Sequence, residues 1–320
     1  MTLSEVGTEA APPRPPEHRR RGRAARPGRR VSVAYLFLTP WMAGALLLTI
    51  GPMLVSLYLS FTDYDLFTSP RWVGLSNYRR LLTNDPQFLD AVRVTVRYVL
   101  ISTPLKLGAA LGVAVLLNRR RRGQGFYRAA FYAPSLLGTS VSLALVWQAL
   151  FTGRGPVDRL LSGVGVHTGG WINEPRYALY TLVVLAVWQF GAPMVIFLAG
   201  LKQIPADLYE AAAIDGAGPW RRFRSVTLPM LSPVILFNLV LETIHAFQVF
   251  TSAFVVSNGR GGPSDATLFY TLYLFQRGFV DYRMGYAAAM AWLMLAALAL
   301  LTALIFRTAR LWVFYAGEER

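Results

Sequence analysis

The stretch Leu208–Met230, LYEAAAIDGAGPWRRFRSVTLPM, is polar and broken, with five charges of both signs around a Gly-Ala-Gly-Pro turn, and it stands between two long apolar runs. A loop that only reconnects two membrane helices needs no such construction. Pro205 suits the first turn of a helix, and Asp207 and Glu210 stand near that helix's positive end. Ala211, Ala212 and Ala213 propagate it, and Gly216 comes just past its end, where a left-handed backbone costs little. Gly218-Pro219 restarts the chain, and WRRFRSV forms a second short turn of helix. Leu228-Pro229 is expected to stop that turn and open the next apolar run. The product is a helix–turn–helix presenting Tyr209, Ala212, Ile214, Trp220 and Phe223 beside Arg221, Arg222 and Arg224. Apolar residues on an exposed helix pair imply a surface that covers them, and a partner protein and anionic lipid both suit it.

Working outward, the flanking runs belong to a set of six: Val33–Ser60, Thr95–Leu117, Ala129–Phe151, Tyr177–Leu201, Pro229–Val256 and Met284–Phe306. About 20 apolar residues cross a ~30 Å hydrocarbon layer as helix. Charged residues make up 15% of the 320-residue chain, where a soluble domain carries about 25%; a large lipid-facing surface explains the deficit. The expected fold is all-α, a polytopic membrane protein of six transmembrane helices filling residues 33–307. Ahead of it, residues 1–32 form a basic tail rich in Pro, Gly and Arg, expected to be disordered because it has almost nothing to bury. The apolar run after this tail is too long for a cleavable signal peptide and lacks a small-residue cleavage site. Residues 308–320 form a short C-terminal tail.

Lys and Arg number 20 in the tail, residues 119–128, 202–224 and 307–320, against 10 in the alternate loops, with Arg97 and Lys106 inside the second span. Positive residues accumulate on the cytoplasmic side. Both termini and Leu208–Met230 are therefore placed in the cytoplasm, the chain lying in the cell membrane. The basic excess reports topology and calls for no nucleic-acid partner. There is no cysteine, so no disulfide framework and no thiolate metal site. His18, His167 and His245 are too scattered for a metal cluster, and no phosphate-binding, dinucleotide, metalloprotease or serine-hydrolase motif is present. No enzyme activity and no cofactor on this chain are expected; energy from ATP has to enter through another subunit.

The fifth span carries the most chemistry. In NLVLETIHAFQVFTS a helix at 100° per residue gathers Asn238, Glu242, His245, Gln248 and Ser252 on one face. A charge at mid-bilayer costs at least about 2.5–3.5 kcal/mol, so this face must look into the bundle or into water. It either lines a translocation pathway or bonds neighbouring helices in place. Lys106 is the other mid-membrane charge, and the shortage of other acids makes Glu242 its expected partner. Pro40, Pro52 and Pro104 kink their spans, and Trp41, Tyr58, Trp171, Tyr177, Tyr282 and Trp312 read as interfacial anchors; Tyr286 is open to stacking on a sugar. GRGGPSDAT (Gly259–Thr267) is read as a mobile external loop.

Glu210-Ala211-Ala212, three residues, Gly216, nine residues, Val226, one residue and Leu228-Pro229 resemble the EAA motif of binding-protein-dependent ABC importers, with Val226 in place of the usual isoleucine. The segments FVVSNGRGGPSDATLFYTLYLFQRGFVDYRMGYAAAMA and RWVGLSNYRRLL resemble the carbohydrate-importing class, and the resemblance runs from about Val33 onward. It implies a permease subunit that alternates access, with a second permease, a different homologous chain, two ATP-binding subunits below and an extracytoplasmic solute-binding protein above. It further implies that Glu210 and Gly216 shape and anchor the joint to the ATPase, packed by Ala211, Ala212 and Leu228-Pro229. Two other classes fit parts of the sequence: an importer permease for polyamines, phosphate or amino acids, and a proton-coupled carrier using Glu242 and His245.

Overall fold

The computed structural model describes residues 37–314, save 119–122, 139, 154, 164 and 166–168. The basic tail, His18, His167 and the end of the C-terminal tail lie outside the described residues. The chain divides into two units, Met1–Met53 and Leu54–Arg320. In the first, the helical backbone widens to π geometry over Ala45–Ile50, where the N–H of Gly51 bonds to Leu46 O. Proline in a regular helix clashes with the carbonyl four residues back, and the wider turn just before Pro52 relieves that contact.

The second unit continues α1 (Gly51–Ser60) into an antiparallel pair, β1 (Thr62–Asp63) and β2 (Arg71–Trp72). Then follow α2 (Ser76–Thr83), α3 (Pro86–Asn118), α4 (Gln124–Leu137), α5 (Val141–Phe151), α6 (Pro156–Ser162), α7 (Pro175–Trp188) and α8 (Gly191–Gln203). The chain ends with α9 (Ala206–Ile214), α10 (Pro219–Arg222), α11 (Leu228–Phe247), α12 (Thr251–Val256), α13 (Tyr270–Phe275) and α14 (Met284–Ala309). Among the described residues, four helical stretches are long and apolar enough to cross a membrane, or up to six if each of two bent pairs, α4 with α5 and α7 with α8, is one span.

The 33-residue α3 is the axis of this unit and packs against α7, α8 and α11. Ala110 and Ala114, one turn apart, are wholly buried against Met194, Phe197, Leu198 and Leu201 of α8 and Leu231 of α11. Small residues at this spacing let helix backbones approach closely, the usual basis of packing between membrane helices.

Three expectations are corrected by the backbone. The fifth apolar run is not one regular helix: α11 ends at Phe247, and α12 starts afresh at Thr251. Nor does Leu228-Pro229 stop the preceding turn, because α10 passes through a π turn, Phe223–Thr227, straight into α11; the wide turn again accommodates a proline, Pro229, on its C-terminal side. The Gly-rich segment is tied down rather than loose. Thr267 returns both its N–H, at 2.7 Å, and its hydroxyl, at 2.8 Å, to Gly261 O, and Leu268 behind it is buried.

One polar clamp joins α3, α13 and α14. Asp85 caps α3 by accepting the N–H of Phe88 at 3.0 Å, and it also accepts the hydroxyls of Tyr273, at 2.6 Å, and Tyr286. Tyr286 is thereby buried and committed, and does not face a sugar. Arg277 lies 4.6 Å over the Tyr273 ring and donates to Asp281 at 2.6 Å and Gln87 at 2.9 Å. Burial works to raise the Asp85 carboxyl, but the bonds from Tyr273, Tyr286 and Phe88, with Arg277 nearby, together hold it below its ordinary value of 3.8. A carboxyl lowered by folding gives stability that is present above the unfolded value and lost as pH falls through the folded one. Melting curves of detergent-solubilised wild type and Asp85→Asn should therefore separate at neutral pH and converge as pH falls below 3.8. A gap independent of pH would mean that the carboxylate charge contributes nothing.

Candidate functional site

A cavity of about 440 Å³ opens at the middle of the second unit. One wall is a face of α3, where Tyr98, Ser102 and Lys106 follow each other every fourth residue and stack along the helix. Opposite, α11 contributes Glu242 and His245. Lys106 Nζ and Glu242 Oε2 are 2.7 Å apart, with side chains only 15% and 10% exposed, so the pairing expected from the sequence is present. Buried ions in this geometry offset each other's desolvation only if both stay. Ser102 Oγ and Thr103 Oγ1 are both buried with no hydrogen-bond partner among the described residues.

The cavity meets the chain where two helices are interrupted. Gln248, Val249 and Phe250, the unwound residues between α11 and α12, all line it, and the Thr271 hydroxyl satisfies the freed Val249 carbonyl. Non-helical backbone at membrane depth is tolerated only where protein or a water-filled cavity surrounds it. The other interruption is the 41° bend between α7 and α8, which brings Gln189 to the cavity. There Ser135 of α4 donates to Gln189 O and accepts the N–H of Ala192, each at 3.1 Å. Gly191 makes the approach possible: a Cβ on it would lie 2.5 Å from Phe131 O and 2.8 Å from Tyr132 Cα.

Of the predicted stripe, Glu242, His245, Gln248 and Ser252 line the cavity. Asn238 does not; it is 1% exposed and its side-chain amide donates to Val234 O at 3.0 Å within its own helix. Sequence reasoning missed Tyr98, Ser102, Thr103, Ser135 and Gln189. The fourfold spacing Tyr98–Ser102–Lys106 was a usable signal for the first two; Ser135 and Gln189 had none. With an ion pair, an imidazole, two carboxamides and several hydroxyls, the lining can donate to and accept from a solute bearing many hydroxyl groups.

The turn at Leu208–Met230 has a defined geometry as well. Gly216, at φ 72°, ends α9 with Ala217 N–H on Ala212 O at 2.9 Å and Gly216 N–H on Ala213 O at 3.0 Å. This is a Schellman motif, whose left-handed position favours glycine. Arg222 Nε donates back to Ala217 O at 2.6 Å, the Tyr209 and Thr227 hydroxyls are 3.0 Å apart, and Trp220 stacks on Phe223. These bonds make α9 and α10 one stiff piece. Ile214 and Trp220 stand 88% and 72% exposed on it; Glu210 and Ala211 are exposed, while Ala212, Val226, Leu228 and Pro229 are half-buried.

Helices interrupted beside a polar chamber are how many carriers offer backbone and side chains to a solute within the bilayer, and fold and chamber together define a multi-pass membrane permease. The chain belongs to the binding-protein-dependent transport system inner membrane components, whose family model matches residues 106–312. It is 49% identical over 286 residues to the probable ABC transporter permease protein YesP of Bacillus subtilis, covering 89% of this chain and 93% of that one. It is 35% identical to the trehalose/maltose transport system permease protein MalF of Thermococcus litoralis, over 81% of this chain and 88% of the relative. Among solved structures, a bacterial ABC transporter involved in import of the acidic polysaccharide alginate superimposes with a TM-score of 0.75 at 20% identity, covering 88% of this chain and 96% of that one.

Proposed function

We propose that this chain is a permease subunit of an ATP-driven sugar importer, and that the chamber around Lys106 and Glu242 forms part of the sugar's path. The observation that carries this reading is the chamber itself, lined by hydroxyl-bonding side chains at two helix interruptions; the maltose, lactose and arabinooligosaccharide systems named among the relatives support the solute class. Six spans with both termini in the cytoplasm agree with the distribution of Lys and Arg. The α9–α10 turn, with its EAA pattern from Glu210 to Pro229, docks on one of two separate ATP-binding subunits. A second permease completes the pore, and a solute-binding protein delivers substrate from outside. This chain binds no cofactor and does no covalent chemistry; ATP and magnesium act on the partner subunits. A proton-coupled route through Glu242 is disfavoured by the ammonium held 2.7 Å from it.

Proteoliposomes carrying the chain with its partner permease, ATP-binding subunits and solute-binding protein test the reading. Radiolabelled maltose, lactose and arabinooligosaccharides are each offered with ATP inside the vesicles or with a proton gradient alone. ATP-dependent uptake of at least one sugar is expected. Uptake that follows the gradient and ignores ATP, or accumulation of polyamine, phosphate or amino acid in place of all three sugars, overturns it.

A further inference from the structure

A second cavity, of about 630 Å³, lies away from the chamber, among α3, α6 and α7. Its polar lining carries positive charge beside the hydroxyls of Tyr177, Tyr180 and Thr181. Arg97 of α3 and Arg176 of α7 bring two guanidinium groups to it, and Trp171 contributes an indole Nε1 that is buried with no hydrogen-bond partner among the described residues. Neither arginine has an ion-pair partner among the described residues, where Arg176 lies 5.8 Å over the Tyr177 ring, and no Asp or Glu among those residues lines the cavity.

Each cation is also in a place that disfavours it. Arg176 occupies the first turn of α7, whose own positive end repels it, and the Glu174 side chain makes no capping bond there. Arg97 stands exposed on the surface of an apolar span, where a guanidinium without a counter-ion is costly. Two guanidinium groups and an indole N–H therefore border a space whose acceptors, among the described residues, are the hydroxyls of Tyr177, Tyr180 and Thr181, and which holds no negative charge from them.

The remaining wall is apolar. Val94 of α3 and Leu179 and Val184 of α7 carry it beside the arginines; at 1.5 Å per residue, Tyr177 to Val184 spans about 10 Å of helix. A site for a free inorganic anion needs no such slot. An amphiphile fills both parts.

We propose that this cavity binds an anionic glycerophospholipid, its phosphate held by Arg97, Arg176 and the Trp171 indole N–H, and one acyl chain laid along Val94, Leu179 and Val184. Two guanidinium groups and a helix N-terminus outweigh a single phosphate, so a headgroup with its own ammonium fits less well than one without.

The test uses the full chain, purified and stripped of lipid in mild detergent, with fluorescent phosphatidylglycerol and a phosphatidylcholine of the same chains as probes. Wild type should hold phosphatidylglycerol about tenfold more tightly, because both lipids carry the phosphate and only phosphatidylcholine adds a cation that faces the two arginines. The double variant Arg97→Gln/Arg176→Gln should lose that preference, and Trp171→Phe should reduce it. Arg97→Lys/Arg176→Lys, which keeps both charges, should retain most of it and so separates loss of the site from loss of the fold. A phosphatidylglycerol with a photoreactive acyl chain should label a peptide containing Leu179 and Val184. Equal binding of the two lipids by wild type, or wild-type preference in the Gln double variant, overturns the proposal. So does displacement of the probe by millimolar inorganic phosphate as effectively as by unlabelled lipid, because the pocket is then a free-anion site.

Discussion

Replacing Glu210 with lysine should leave the chain inserted and folded, and lower substrate-stimulated ATP hydrolysis by the assembled importer about a hundredfold. The size follows from where the cost falls. Reversing a charge inside a docked interface costs 2–5 kcal/mol or more, and each 1.4 kcal/mol is about tenfold in an equilibrium. Within this chain nothing opposes the change, since Glu210 is exposed on α9 and forms no ion pair among the described residues. Melting temperature and membrane insertion should therefore stay at wild-type values while ATPase stimulation collapses. Gly216→Val tests the same joint through its backbone. A β-branched residue at φ 72° pays about 1–2 kcal/mol for the left-handed conformation, which would open the Schellman turn and let α10 swing relative to α9. Coupling should then fall with only a modest loss of stability. Normal ATP hydrolysis and uptake in Glu210→Lys would show that this turn does not carry the force.

How much of this was legible in the residues depends on how local each cause is. The end of α9 was, because Gly216 is the first residue without a Cβ after a plain run of helix formers. The Lys106–Glu242 pair was too, because two buried ions in an apolar bundle have few other choices. The break at Gln248 was not. Gln248-Val249-Phe250 contains no glycine or proline, and what holds it open is a hydroxyl from Thr271, 22 residues further on. Asn238 was misread for another reason: it stands in the regular part of α11, but its amide is turned back on Val234 O four residues earlier, which periodicity does not show. What held at Gln248 holds for the Asp85 clamp, whose tyrosines lie 188 and 201 positions away. Tyr286 looked free for a ligand only because its partner was out of sight. The π turn at Phe223–Thr227 resolves a local conflict, since Pro229 was a visible stop signal but the wider turn that lets a helix run through it leaves no mark of its own.

Removing one member of the central ion pair should be far more damaging to the fold than removing both. Glu242→Leu leaves Lys106 as a largely buried ammonium beside Tyr98, Ser102 and Thr103, with no other acid among the described residues of the chamber lining to take its place. Breaking a buried pair in this way costs about 3–5 kcal/mol, whereas replacing both ions by apolar groups of similar volume is neutral or stabilising by about 1–4 kcal/mol. Detergent-solubilised Glu242→Leu and Lys106→Met should each melt well below wild type, and the double variant should recover to wild type or above. The reversed pair, Lys106→Glu with Glu242→Lys, should also rescue the loss caused by either single reversal. Transport separates the two roles left open for these groups. If they only fix helix packing, the recovered double variant transports normally, because the packing has been restored. If they bond the sugar's hydroxyl groups, it folds and binds its partners, still hydrolyses ATP, and loses uptake. Loss of uptake with fold intact is the expected outcome, since the pair faces an open chamber shared with Gln248 and Ser252 at the break in the helix. A double variant as unstable as either single one would mean that the 2.7 Å contact is not what balances the two charges.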